Sequence, residues 1–289
     1  MGVTDYLDKI IDWANKRSDI TALILTGSLA REDRMIDELS DIDIEIIAER
    51  PQDLLKNSDW IGEIGDILTC LPLDPDENQA WATRLVFYRD GTKVDFTLAD
   101  STRLQTMIDA STLDSLYERG YRTLLDKNGV ASQLPAASGI SQQPSLPTQK
   151  QFQASVEEFW FEAAHIPKYL YRGELWTVKL RDWTMKELLL QMMEWQALAT
   201  STSGVDTWHQ GSHMPQWLAP HIWQELHQTF GQFDADSARR AFYASIQLYS
   251  QLAHKVAESL SLKYPQQVED GVLSLCKKIE KLPQINRTH

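Results

Sequence analysis

The chain opens with apolar side chains at helical spacing across residues 4–17, TDYLDKIIDWANKR, and Thr4 is placed to cap that helix. The pattern then changes. Ala22–Leu25 is a short apolar run, and Ser40–Ala48 alternates apolar with polar positions, so each predicts a strand. Residues 51–67 read as a helix, a loop and a further strand. Two more strand runs, Thr83–Tyr88 and Lys93–Leu98, flank Arg89-Asp90-Gly91-Thr92, whose Asp-Gly pair tolerates positive φ and marks a hairpin. Helices alternating with strands of mixed direction predict an α+β fold with a mixed sheet flanked by helices.

Residues 129–149, GVASQLPAASGISQQPSLPTQ, break the pattern with Pro, Ser, Gln and Gly, as a linker or long surface loop does. We therefore expect a first domain over 1–135, a linker over 136–149 and a second domain over 150–289. The second half is helical throughout: Gln151–Tyr171, Leu175–Ala199 and Asp236–Leu262 are long apolar-periodic segments, and Pro215 and Pro220 break a shorter one. It predicts a helical bundle, with Trp160, Trp176, Trp183, Trp195 and Trp223 packing its core.

Composition narrows the classes of function. The 289 residues carry 41 acidic and 28 basic side chains, a formal charge of −13. Such a surface repels nucleic acid and attracts cations. The two cysteines, Cys70 and Cys276, form neither a zinc motif nor a disulfide framework. No run approaches the ~18 apolar residues of a membrane span, and no signal-peptide pattern opens the chain. The expectation is a cytoplasmic protein without membrane or nucleic-acid partners.

The candidate chemistry lies in Leu23–Ala48, LILTGSLAREDRMIDELSDIDIEIIA. Side chains alternate along a strand, so Asp41 and Asp43 share a face, with Cβ atoms roughly 6.5–7 Å apart, while Ile42, Ile44 and Ile46 point into the core. Asp95, between Val94 and Phe96, adds a third carboxylate if its strand lies alongside. Crowded carboxylates repel unless a cation compensates them, and hard divalent ions take oxygen ligands. Gly27 permits a tight turn, and Ser28 is expected to start a helix through Arg31. The turn's N–H groups, the Ser28 hydroxyl and the Arg31 guanidinium then suit phosphate. Taken singly, these are a common turn, a solvated strand face and a surface cation. In this order, they describe a nucleotide site. No Walker-A sequence occurs, so the sequence does not support a P-loop kinase.

The order Gly-Ser, Asp-x-Asp and a later strand Asp resembles the nucleotidyltransferase superfamily of the DNA polymerase β type. The run Phe87–Leu98, the Glu158-Phe159-Trp160 and Tyr169–Leu175 segments, Lys179–Asp182 and Leu188–Trp195 resemble the aminoglycoside 6-adenylyltransferases, which modify streptomycin. The resemblance runs from the first helix to about residue 260 and covers both expected domains.

The resemblance implies Mg²⁺-dependent transfer of AMP from ATP to a streptomycin hydroxyl, with pyrophosphate released. Asp41, Asp43 and Asp95 would hold Mg²⁺, Asp95 also serving as base, a role that competes with metal ligation. Gly27, Ser28, Arg31 and Lys179 would bind the nucleotide. Asp182, one turn after Lys179, either meets a guanidinium of the drug or forms a salt bridge with Lys179. A dicationic acceptor suits an acidic protein. The alternatives are another acceptor, such as a different small molecule or a protein hydroxyl, and a catalytically silent nucleotide-binding protein.

Overall fold

The structure is a computed structural model that describes residues 3–31, 37, 39–75, 81–139, 145–201, 205–207 and 210–283. The chain divides into two compact units, Met1–Gln142 and Gln143–His289. Among the described residues, no helix is long and apolar enough to cross a membrane.

The first unit is built on a six-stranded mixed sheet. Its strands are β1 (Ile20–Thr26), β2 (Ile42–Ala48), β3 (Ile67–Leu73), β4 (Ala82–Tyr88), β5 (Lys93–Ala99) and β6 (Arg122–Asp126), in the order β3-β4-β5-β2-β1-β6. β2 and β5 run parallel and the other neighbours antiparallel. Gly91, at φ +90°, closes the β4–β5 hairpin.

Both faces of the sheet are covered. On one face, α1 (Val3–Asn15), α2 (Pro51–Lys56) and α3 (Trp60–Ile64) bury Ile42, Ile44, Ile46, Val94 and Phe96, as the alternation requires. On the other face, α4 (Thr102–Ala110) and α5 (Ser115–Glu118) cover Ile24, Ile47 and Ala99. Thr4 lies inside α1, so it is not the expected cap. A cap needs non-helical backbone, and helical geometry already includes Val3.

Residues 136–139, expected in the linker, are tied to the first unit: Glu118 accepts hydrogen bonds from the Ser138 and Gly139 N–H groups, and Ala137 packs on the second core. The linker's residues 140–144 lie outside the described residues.

The second unit comprises α6 (Gln149–Ala163), α7 (Ile166–Arg172), α8 (Leu175–Thr200), α9 (Met214–Trp217), α10 (Pro220–Leu226), α11 (Ala235–Ser259) and α12 (Gln266–Glu280). The expected helix over 151–171 is divided before Pro167, because proline suits a first turn but lacks the N–H of an interior position. Thr148 and Gln151 form a capping box that starts α6. Phe159 stacks on Tyr249 at 3.5 Å between ring centroids, joining α6 to α11.

Of the tryptophans expected in this core, Trp160 and Trp195 are buried and Trp223 packs against its edge. Trp176 and Trp183 are 73% and 61% exposed, a correction to that expectation. They occupy the side of α8 turned from the buried Val178, Met185 and Leu189, so apolar character alone misassigned them.

Candidate active site

The parallel pairing of β2 with β5 assembles the carboxylates. Asp43 stands opposite Asp95 in the register, and on its other side opposite Thr26 at the end of β1. All three positions come from strands whose alternate residues are anchored in the core, so their direction is fixed by apolar packing. Asp41 directly precedes β2.

Gly27 follows β1 with φ +64° and ψ −147°, a backbone region that is essentially glycine-only. A Cβ there would stand 2.0 Å from Asp43 Oδ2. The turn thus needs glycine twice, for its dihedrals and because the Asp43 carboxylate lies against its backbone. Ser28 does begin a helical turn, but it is a single 3₁₀ turn, Ser28–Ala30, and Arg31 is already extended at φ −100° and ψ 144°. The expected helix through Arg31 is therefore corrected. With it goes the helix-dipole contribution to anion binding, since aligned peptides over several turns create that dipole. What remains at the turn are local N–H groups, the Ser28 hydroxyl and Arg31, which packs beside Gly120.

Lys93, which the sequence reading did not single out, lies among the carboxylates. Its ammonium donates to Asp41 Oδ2 at 2.6 Å and to Asp95 Oδ2 at 2.8 Å. The i, i+2 spacing of Lys93 and Asp95 on one strand was the available signal, because it places both on one face. Burial works against the Lys93 charge, but the hydrogen bonds to Asp41 and Asp95 prevail and raise its pKa. Burial also raises the Asp95 pKa, with Lys93 opposing and the Asp41 charge adding. Among the described residues, Asp95 Oδ1 is buried without a hydrogen-bond partner. Among the described residues, no three His, Cys, Asp or Glu side chains already converge as a metal cage. Lys93 holds two of the site's carboxylates instead.

Two residues further along β2, Glu45 faces the same side and is only 3% exposed. It accepts hydrogen bonds from Arg103 Nε at 3.1 Å, Arg103 Nη2 at 3.2 Å and the Tyr117 hydroxyl at 2.7 Å. Arg103 also pairs with Asp114, which caps α5 through the Leu116 and Tyr117 N–H groups. Burial opposes the Arg103 charge, but Glu45 and Asp114 raise its pKa overall. This network ties α4 and α5 to the strand that carries Asp43.

The remaining candidates lie in the second unit, on α8. Lys179 Nζ donates to the Gly231 carbonyl at 2.6 Å. Asp182 pairs with Lys186, one turn on at 2.6 Å, rather than with Lys179, and Lys186 also donates to Ser245 Oγ at 3.0 Å. The i+4 partner is favoured because Lys186 is buried and its charge needs a counter-ion, whereas Lys179 reaches a carbonyl. Trp183 lines a cavity of about 660 Å³ with Glu187, Trp223, His227 and Phe230.

Known proteins resemble this chain along most of its length. The model of the streptomycin adenylyltransferase family matches residues 3–279, nearly the whole chain. Aminoglycoside 6-adenylyltransferase of Bacillus subtilis is 23% identical over 267 residues, covering 90% of this chain and 92% of its own. Its namesake from Campylobacter jejuni is 22% identical, covering 89% of each. A crystal structure of an aminoglycoside 6-adenyltransferase from Bacillus subtilis, 20% identical, covers 95% of this chain and 97% of its own with a TM-score of 0.46. The chain belongs to the streptomycin adenylyltransferase family and is an enzyme of the nucleotidyltransferase type.

Proposed function

We propose that this chain transfers AMP from ATP to a hydroxyl of streptomycin or a closely similar cationic aminoglycoside, using Mg²⁺ held by Asp41, Asp43 and Asp95. The observation that carries the reading is the in-register pairing of Asp43 with Asp95 beside the Gly27 turn. The donor set fits the metal: every ligand is a carboxylate oxygen, as a hard cation prefers, and Asp95 Oδ1 is buried with no hydrogen-bond partner among the described residues. The names of the relatives and the −13 charge support a cationic acceptor.

The first unit is the ATP domain in this reading, and the helical unit binds the acceptor. Mg²⁺, when bound, supplies polarisation of the α-phosphate and neutralisation of the pyrophosphate that leaves. The chain's own groups do the rest. The Gly27 turn, the Ser28 hydroxyl and Arg31 donate to phosphate oxygens. Lys179 gives up the Gly231 carbonyl for the triphosphate. Asp95 takes the proton of the attacking hydroxyl at a carboxylate oxygen, its burial raising the basicity that ligation to a cation would lower. Asp182 receives a guanidinium of the drug. A cytoplasmic location, where ATP is abundant, belongs to the same reading.

Mass spectrometry of streptomycin incubated with the protein, ATP and Mg²⁺ tests this. The expected product is heavier by one adenylyl group, AMP less one water, and pyrophosphate accumulates alongside. AMP transfer to a different aminoglycoside in a parallel panel would change the acceptor, and transfer to none would overturn the proposal.

A further inference from the structure

We infer that Lys93 is the built-in counter-cation of the carboxylate site, and that it must be displaced for a divalent ion to load, so that metal and nucleotide load together. This rests on the metal reading above. The ammonium touches one oxygen each of Asp41 and Asp95, two of the three proposed ligands, and no other residue bridges them by a described hydrogen bond. An ammonium makes hydrogen bonds of this length with the same lone pairs that a hard cation would take at ~2.0–2.1 Å. The two cations therefore compete for these oxygens.

The ammonium's charge explains how carboxylates in one small region are tolerated. Asp43 and Asp95 are cross-strand neighbours, and like charges so placed destabilise a sheet unless compensated. Lys93 supplies that compensation from the first residue of β5, on a stem that is flexible and 22% exposed, so it can leave without moving the strand.

It also sets a condition on loading. A bare divalent ion must evict an ammonium that then has only water to meet. A nucleotide brings anionic oxygens, which offer that ammonium new partners. Metal and nucleotide thus favour each other's binding through Lys93, and by linkage the effect is the same in both directions.

The test is Mn²⁺ binding to the full chain, followed by paramagnetic resonance, with and without a non-hydrolysable ATP analogue. We compare wild type with Lys93→Met, Lys93→Arg and Asp43→Asn. Lys93→Met should bind Mn²⁺ alone about tenfold more tightly, the scale of a lost charge-assisted hydrogen bond, and the analogue should enhance that binding less than in wild type. Lys93→Arg keeps the charge and should stay close to wild type. If Lys93→Met does not fold without metal, Lys93→Gln carries the same measurement. Unchanged or weaker Mn²⁺ binding in the neutral variant, with binding lost in Asp43→Asn, would overturn the role of Lys93 and leave the metal site standing. Binding that survives Asp43→Asn would remove the metal site itself.

Discussion

The polar face of β2 carries two carboxylates, Asp43 and Glu45, that meet opposite fates. Glu45 is 3% exposed, and both its oxygens are taken by Arg103 and Tyr117. Opposite Asp43 the pairing is looser: among the described residues Asp95 has a buried oxygen without a hydrogen-bond partner, and its other oxygen shares a flexible lysine with Asp41. A buried charge is costly unless fully paired, so the Glu45 network is what a structural tie looks like. A buried carboxylate oxygen without a partner in the fold calls for a different explanation, and the metal proposed above supplies one. The same strand therefore contains its own control for telling structure from function.

The sharpest break between the two is Asp43→Asn. It should lower kcat by about a thousandfold or more, because metal-borne charge stabilisation contributes several kcal/mol to the transition state. The melting temperature should hold or rise, since one repelling charge is gone. A variant that turns over normally with Mg²⁺ would place Asp43 in the structural class beside Glu45.

Glu45→Ala should do the reverse. Removing one partner of a buried ion pair costs about 3–5 kcal/mol, and the lower end is expected because Arg103 keeps Asp114. Denaturant unfolding measures the loss. Turnover per folded molecule should stay within a few-fold of wild type when assayed well below the melting temperature. A large fall in kcat without loss of stability would mean that the network positions Asp43 during the reaction.

What the sequence revealed of this contrast follows from periodicity. Asp43 and Asp95 were readable because Ile42, Ile44, Val94 and Phe96 fix their strands' inner face, and Gly27 was readable as a turn. Glu45 sits in the same alternation, but its partners Arg103 and Tyr117 lie 58 and 72 positions away, and one sequence does not reveal such pairings. Lys93 looked like a hairpin residue because nothing local showed that Asp41 would lie beside it. The turn at Ser28 was read as a helix from its residue types, whereas the backbone extends at Arg31 after one 3₁₀ turn. Trp176 and Trp183 show the opposite failure. Apolar type implied burial, but burial depends on which side of α8 faces its neighbours.

Asp182 extends the comparison to the second unit, and its effects should be the smallest of the three. Like Glu45 it is held by a buried cation, since Lys186 is 6% exposed at its side chain and also bound to Ser245. Unlike Glu45, it is proposed to meet substrate. Asp182→Asn keeps the shape but leaves Lys186 without a counter-charge, at about 1.5–3 kcal/mol for a hydrogen bond between charged groups, toward the lower end because Asn still accepts one. The pH dependence has a definite sign. Burial lowers the Lys186 pKa, with Asp182 opposing, so the folded state loses this proton before the unfolded state does. Stability from this group therefore rises with pH through the interval between the folded pKa and the ordinary lysine value of about 10.4. Without Asp182 the folded pKa falls further, so thermal melts of the variant should recover more steeply toward alkaline pH than those of wild type. Calorimetric titration of the same variant decides the substrate role: streptomycin Kd should rise roughly 10- to 150-fold while ATP affinity holds. A stability loss with unchanged streptomycin binding would make Asp182 a second Glu45, a carboxylate whose partner is already in the fold.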